Sequence, residues 1–248
     1  MKIPIFYIPG AKSVKYIFIE KRYTTPRFAI PIGCDCHPTY ILKKYHIRKD
    51  SLPFDWLFTD PKKGLDYVRL NLNNKFSLFL SNLVRNEQGV VVSQHYGFAE
   101  FPHEPDLIER EQTKQKIQRR IAKFLSLFES KGIMFIYCLP SISFNNESEI
   151  DTFIASINAF LTTIKPNDSL HIYQRYDDNF EEHKELNALF ASKIPKHQRL
   201  HFTSYIRYLN LGGGVWGDYK AYKTLFRNLN IDLISTFPKI YVKGLVIP

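Results

Sequence analysis

The sequence predicts an α/β fold: one domain over residues 1–248, a three-layer sandwich around a mostly parallel sheet. Three observations predict it. From Ile133 onward, short apolar runs alternate with helix-spaced amphipathic segments, a rhythm whose short connections favour parallel neighbours. The run Ile133–Cys138 is apolar at every position, as in a strand buried on both faces. No internal repeat or linker interrupts the chain. Gly212-Gly213-Gly214 reads as a loop, because a helical pattern resumes four residues later.

The elements follow in order. Phe28 to Ile32 reads as a short strand ending at Gly33, weakened by Pro31, which removes a ladder hydrogen bond. Pro38 to about His46 is a helix with proline at its first position. Lys62 to about Leu72 is a second helix. Val90–Val92 and Tyr96–Phe101 flank a short connection and suggest a hairpin. Ile117, Ile121, Phe124, Leu125 and Phe128 mark the strongest helix, between Pro105-Asp106 and Gly132. After the Ile133 strand come a helix over Glu147–Ile164, a strand at Leu170–Tyr173, and a helix at His183–Ser192. A strand at Leu200–Ile206, a helix at Asp218–Leu229 and a last strand at Ile240–Ile247 complete the chain. The strands at Ile133, Leu170 and Leu200 are expected as parallel neighbours.

Composition bounds the function. Hydrophobic residues are 44% and charged residues 23% of 248, which excludes a disordered or low-complexity chain. No run of about 18 apolar residues is present, so no membrane span is expected. The opening Met1–Tyr7 is followed too soon by Lys12, Lys15 and Glu20 to be a signal peptide. Three cysteines argue against a disulfide framework and for a reducing compartment, so the expected location is cytoplasmic. The net charge of +10 permits an anionic partner. Its Lys and Arg residues are scattered in pairs such as Lys43-Lys44 and Arg119-Arg120, without a nucleic-acid signature, so no nucleic-acid partner is expected.

The chemistry concentrates in Ile32-Gly33-Cys34-Asp35-Cys36-His37-Pro38, where a strand end meets a helix start. Ligands of open α/β sheets bind outside the carboxyl ends of strands. A thiol at a helix N-terminus is expected to lose its proton more easily, and backbone N–H groups from His37 to Tyr40 can serve an oxyanion. Cys36 lies nearest that end; its bland alternative is a small buried hydrophobe. Cys34 is expected to face away from Cys36, and Cys138, inside an apolar strand, to be inert. Zinc at Cys34, Cys36, His37 and His103 is not expected, because the ligand spacing is too tight and no second close pair exists. Gly213 and Gly214 belong to a glycine loop between strand and helix that can cradle phosphate, although no Lys-Ser/Thr follows it. No cofactor is expected.

Gly33-Cys34-Asp35-Cys36, a helix with Leu42, and then Ser51-Leu52-Pro53-Phe54-Asp55-Trp56-Leu57 resemble a bacterial family of papain-like cysteine peptidases that reads "G-x-x-C", a short helix, and "PFDW". The aromatic segment Tyr96–Pro102 ending in His103, then Arg119-Arg120, the Ile133 strand and Trp216-Gly217-Asp218 are similar to later parts of the family pattern. The resemblance runs from about Phe28 to Phe226. The chain departs from it at Cys34, where a small polar residue is common, and at Pro31. It implies Cys36 as nucleophile and His103 as base, on an α+β papain-like fold, the alternative to the α/β reading. His103 can equally cap the helix starting near Pro105, and His95 is the rival base. Asp55, beside Trp56, either orients His103 or caps and bonds a loop. Asp218 either orients a histidine or caps the helix that follows.

Three functions remain. The first is a thiol-dependent hydrolase or acyltransferase using Cys36 and His103, with Asp55 as third residue and Gly33, His37, His95, Trp56 and Asp218 around the substrate. The substrate would be a small molecule, a peptide or a glycan-linked compound. The second is a glycosyl- or phosphate-handling enzyme of bacterial surface-polysaccharide assembly that binds a nucleotide-linked donor. The third is a non-catalytic binding module.

Overall fold

The computed structural model describes residues 1–6, 13–95, 99–177, 183–209 and 214–246. In chain order the elements are β1 (Lys2–Phe6), β2 (Ser13–Thr24), β3 (Phe28–Pro31), α1 (His37–Lys44), β4 (Phe58–Thr59) and α2 (Gly64–Asn73). Next come β5 (Leu83–Arg85), β6 (Val91–Ser93), β7 (Ala99–Glu100), α3 (Glu111–Ser130), β8 (Ile133–Pro140) and α4 (Glu147–Thr163). Then follow β9 (Ser169–Asp177), α5 (Lys184–Lys193), β10 (Leu200–Arg207), α6 (Ala221–Asn228) and β11 (Ile234–Val246).

The fold is mixed α and β around a four-stranded parallel sheet ordered β10-β9-β8-β3. The alternation after Ile133 therefore produced parallel neighbours, with Met134 opposite Ser169 and Leu200 opposite Leu170. Strand β3 is an edge, paired only with β8. That position explains Pro31: an edge strand tolerates a missing N–H.

Successive residues of β8 point to opposite faces. Ile133, Phe135, Tyr137 and Leu139 belong to one buried cluster, with Leu65 of α2, Phe124 of α3, Phe153 and Phe160 of α4 and Phe190 of α5. Met134, Ile136 and Cys138 belong to another, with Ile41 and Leu42 of α1 and Tyr222, Leu225 and Phe226 of α6. The continuous apolar run is thus accounted for by helices packing on both sides of one strand.

Two antiparallel sheets accompany this core. Strand β6 pairs antiparallel with β7, Val92 opposite Glu100, in a sheet ordered β4-β7-β6-β5; the Tyr96–Phe98 part of the expected hairpin lies outside the described residues. The expected last strand begins earlier, at Ile234, and pairs antiparallel with β2 in a separate sheet ordered β1-β2-β11. Among the described residues, no helix is long and apolar enough to cross a membrane.

Candidate functional site

Chain geometry builds the site at the carboxyl ends of the parallel strands. Gly33 leaves β3 so close to its neighbours that a Cβ there would lie 2.6 Å from Pro38 Cγ and 3.3 Å from the Cys138 backbone nitrogen. Only glycine lets α1 start against β8 in this way. Asp35 then closes the turn: its Oδ1 accepts the His37 N–H at 2.9 Å. Cys36 is the residue capping α1, with Pro38 in the first turn.

A chain of charges crosses three strand ends. Arg175 in β9 donates to Asp35 Oδ2 at 2.5 Å and pairs with Asp177 at 3.3 Å. Arg207 in β10 grips Asp177 with two bonds of 2.6 Å and donates to the Val215 carbonyl at 2.7 Å. Arg175 is only 7% exposed. Burial pushes the Asp35 carboxyl up, but the Arg175 charge and the bonds from Arg175 and His37 outweigh it, so its pKa lies below the usual range.

The three cysteines sit differently. Cys34 and Cys138 are buried, and Cys36 is half-buried. Cys34 is pushed well up by its hydrogen bond with Cys138 and by burial. Contrary to the helix-terminus expectation, the Cys36 thiol is also pushed up. Burial is the largest cause and the Asp35 charge the next; its own N–H, Arg175 and Arg207 pull the other way without winning. The expected oxyanion donors are largely engaged. His37 gives its N–H to Asp35, Pro38 has none, and Tyr40 gives its own to the Cys36 carbonyl.

His37 is buried, with Nδ1 accepting from Tyr173 Oη at 2.6 Å and Nε2–H facing the Trp216 carbonyl at 3.4 Å. Burial, with help from the Arg175 charge, lowers its pKa to about 3. His171, bonded to Ser169 and the Leu229 carbonyl, is lowered to about 3 by burial too. Both rings stay neutral in the folded state, whereas in the unfolded chain they titrate near 6.5. The unfolded state then binds more protons below that point, so stability falls as pH drops from about 6.5 toward 3. The urea midpoint is expected to fall between pH 7 and pH 5, less steeply in His171→Asn. A flat midpoint over that range would contradict the neutral, buried rings.

A cavity of about 530 Å³ opens beside the turn, lined by Cys34, Asp35, Phe58, Asp60, Glu100 and Pro140 among others; Cys36 is not in its wall. Thr59 ties the facing segment to the turn by donating to the Cys34 carbonyl at 3.0 Å. His103 is exposed, its ring 5.5 Å from that of Trp56 and 6.4 Å from that of Phe58.

Asp55 is fully buried; its Oδ2 takes bonds from Arg48 and from the Leu52 N–H at 2.9 Å. Its bonds go to this loop and not to His103, and its Oδ1 has no partner. Burial raises its pKa despite Arg48. The Trp56 ring also faces the Arg48 guanidinium at 5.8 Å. His95 is exposed in the turn after β6. Gly213 lies outside the described residues, while Gly214 begins a short turn with φ +54°. Asp218 accepts the Lys220 N–H at 2.9 Å just before α6.

The structure thus groups Gly33, Cys36 and His37 at one turn and Asp55, Trp56 and His103 around a neighbouring loop. Sequence reasoning missed Arg175, Asp177 and Arg207. Their signal was a charged residue at the carboxyl end of each of two neighbouring strands, Arg175 after Leu170–Tyr173 and Arg207 after Leu200–Ile206.

Comparison with known proteins adds one finding. No curated protein and no solved structure matches the chain. A family model described as "Putative papain-like cysteine peptidase (DUF1796)" matches residues 27–172, which contain Gly33, Cys36, the Pro-Phe-Asp-Trp segment and His103. Because that match spans more than half of the 248 residues, the chain belongs to the family of that description.

Proposed function

We propose that the chain is a thiol-dependent hydrolase or acyltransferase of one three-layer domain, with Cys36 as nucleophile and His103 as base. The observation that carries this reading is Cys36 itself. It is the one cysteine of the three that is not buried, and it stands at a helix start beside two guanidinium groups, at the strand ends where α/β sheets bind ligands. The layered arrangement draws support from helices that pack into both buried clusters.

The reading assigns each group a step. A raised thiol pKa means that Cys36 needs a base. Phe58 lines the cavity beside the cysteine turn and touches His103, which favours an acyl substrate seated between thiol and imidazole. The sulfur adds to the carbonyl carbon as its proton passes to His103. The leaving group departs with that proton, and water or another acceptor then attacks the thioester. With the His37 and Tyr40 N–H groups engaged, the reading gives the oxyanion the positive charges of Arg175 and Arg207, set against the Asp35 charge.

The test is alkylation followed by turnover. Iodoacetamide should modify Cys36 before Cys34 and Cys138, and His103→Ala should slow that reaction at neutral pH. Cys36→Ser should abolish turnover of acyl substrates that the wild type cleaves. Preferential labelling of Cys34 or Cys138, or full turnover by Cys36→Ser, would sink the proposal. A nucleotide sugar that raises the melting temperature equally in wild type and Cys36→Ser would favour the donor-binding alternative.

A further inference from the structure

We infer that the three-stranded sheet β1-β2-β11 is a docking face for an anionic lipid surface. The argument begins with register. Ile3 and Val242 both lie opposite Ile17, Ile240 lies opposite Ile19, and Met1 exchanges backbone bonds with Ile19. Directly opposed residues share a face. Met1, Ile19 and Ile240 therefore form one row, and Ile3, Ile17 and Val242 the next, an aliphatic patch two rows deep across three strands. It is open to solvent: Met1 is 74% exposed, Ile240 63%, Val242 59% and Ile3 39%. Phe237, at the irregularity in β11 between Thr236 and Lys239, is 93% exposed. Contiguous apolar surface of this kind marks an interaction site.

Charge identifies the occupant. The three strands carry Lys2, Lys15, Lys21, Arg22, Lys239 and Lys243 against a single acid, Glu20. That is a net +5, half of the chain's +10, spread over both faces: Lys2, Arg22, Lys239 and Lys243 lie on the side opposite the patch. Alternation along β2 puts Lys15 and Lys21 on the patch face, one beyond each end of the Ile17–Ile19 pair. At the Met1 and Ile19 row, the patch meets a cavity of about 440 Å³ walled also by Glu20, Lys21, Tyr40, Lys43, Lys44 and His46. Glu20, which accepts from Tyr241 and faces His46 at 3.5 Å, offsets one charge there and leaves Lys21, Lys43 and Lys44 in excess.

Aliphatic side chains flanked by lysines suit hydrocarbon beneath anionic headgroups. They do not suit nucleic acid, which stacks its bases on open aromatic rings. Three of the sheet's rings, Tyr16, Phe18 and Tyr241, lie on its other face and are covered: Phe18 stacks on Tyr241 at 5.3 Å, and Lys2 and Lys239 sit over Tyr16 and Tyr241. Tyr23 stacks on Tyr45, and Phe237, although open, stands alone at the β11 irregularity and offers no row of stacking platforms.

Co-sedimentation of the full chain with phosphatidylcholine vesicles, with and without about 30% phosphatidylserine, tests the inference. Binding is expected only to the serine-containing vesicles. The double variant Lys15→Gln/Lys21→Gln should weaken it about thirty-fold. Ile240→Ser/Val242→Ser should weaken it about tenfold or more, with unchanged melting temperature, since both side chains are exposed. No binding to anionic vesicles at physiological salt would overturn the inference, as would binding indifferent to Ile240→Ser/Val242→Ser. A concentration-dependent dimer in gel filtration that Ile240→Ser/Val242→Ser dissolves would assign the face to a second copy instead and would equally overturn it. Alkylation of Cys36 is read separately and tests the proposed function alone.

Discussion

Phe54→Ala is expected to destabilise the protein by about 3–5 kcal/mol, the largest effect of any single side-chain truncation in the Pro-Phe-Asp-Trp segment. Phe54 is 2% exposed. Its ring meets those of Phe76 and Phe124 at 5.5 Å, Phe79 at 5.9 Å and Tyr67 at 6.1 Å, three of them nearly perpendicular edge contacts, with Tyr67, Phe79 and Phe124. Four rings from three parts of the chain cannot all move in, so truncation leaves a cavity as well as lost contact. The melting temperature should fall by about 10 °C, and Phe54→Leu should recover most of the loss. A loss below about 1 kcal/mol would mean that the aromatic cluster collapses around the gap and is not the anchor of this segment.

This anchor explains why a surface-facing group depends on a core ring. Asp55 and Trp56 follow Phe54 directly. With the ring fixed, Asp55 is held beneath the loop by Arg48 and Leu52, and Trp56 is set against His103. The side chain of Thr39, in α1, also donates to the Asp55 carbonyl. The segment after the cysteine helix is thereby tied back to that helix.

Legibility in the sequence followed the range of the interactions. The parallel sheet was readable because each strand and helix carries its own period, as in Ile133–Cys138 and the Ile117–Phe128 spacing. The cysteine turn was readable because Gly33 and Pro38 are local signals. Strand β2 was not: its partner β11 lies more than 200 residues away, and no local period announces such a pairing. The thiol's proton affinity was misjudged for a similar reason. The helix terminus is local and visible, but burial and the Asp35 charge, which win, depend on the fold. The α/β reading accounts for the parallel sheet. Cys36 rides on a turn of the parallel sheet, and His103 follows the antiparallel sheet that ends in β7. The alternation after Ile133 was correct for the first and silent about the second.

Arg175→Met is expected to cost about 3–5 kcal/mol at neutral pH and to slow Cys36 alkylation. Arg175 is 7% exposed and its partner Asp35 23%, so removing the guanidinium leaves a carboxylate largely desolvated and unpaired. The second partner, Asp177, is 39% exposed and keeps both bonds from Arg207, so water and Arg207 screen its loss and it adds little. The pH dependence has a definite sign. In the wild type Asp35 has a lowered pKa, so its contribution is present above the unfolded carboxyl value and lost as pH falls through the folded one. Without Arg175, burial is opposed chiefly by the His37 N–H bond and favours the neutral form of Asp35. The stability gap between wild type and variant should therefore narrow on acidification, first as the variant's Asp35 takes up its proton above the unfolded carboxyl value of about 3.9 and then as the wild type's contribution is lost below it. The thiol responds in the same direction. Arg175 is one of the charges that pull the Cys36 pKa down and Asp35 is the charge that pushes it up. Arg175→Met should move the alkylation profile to higher pH, and Asp35→Asn should move it to lower pH. Urea unfolding at several pH values and iodoacetamide rates read both effects. If the two variants shift the profile in the same direction, the thiol does not sense this ion pair, and the charge chain across the strand ends serves stability alone.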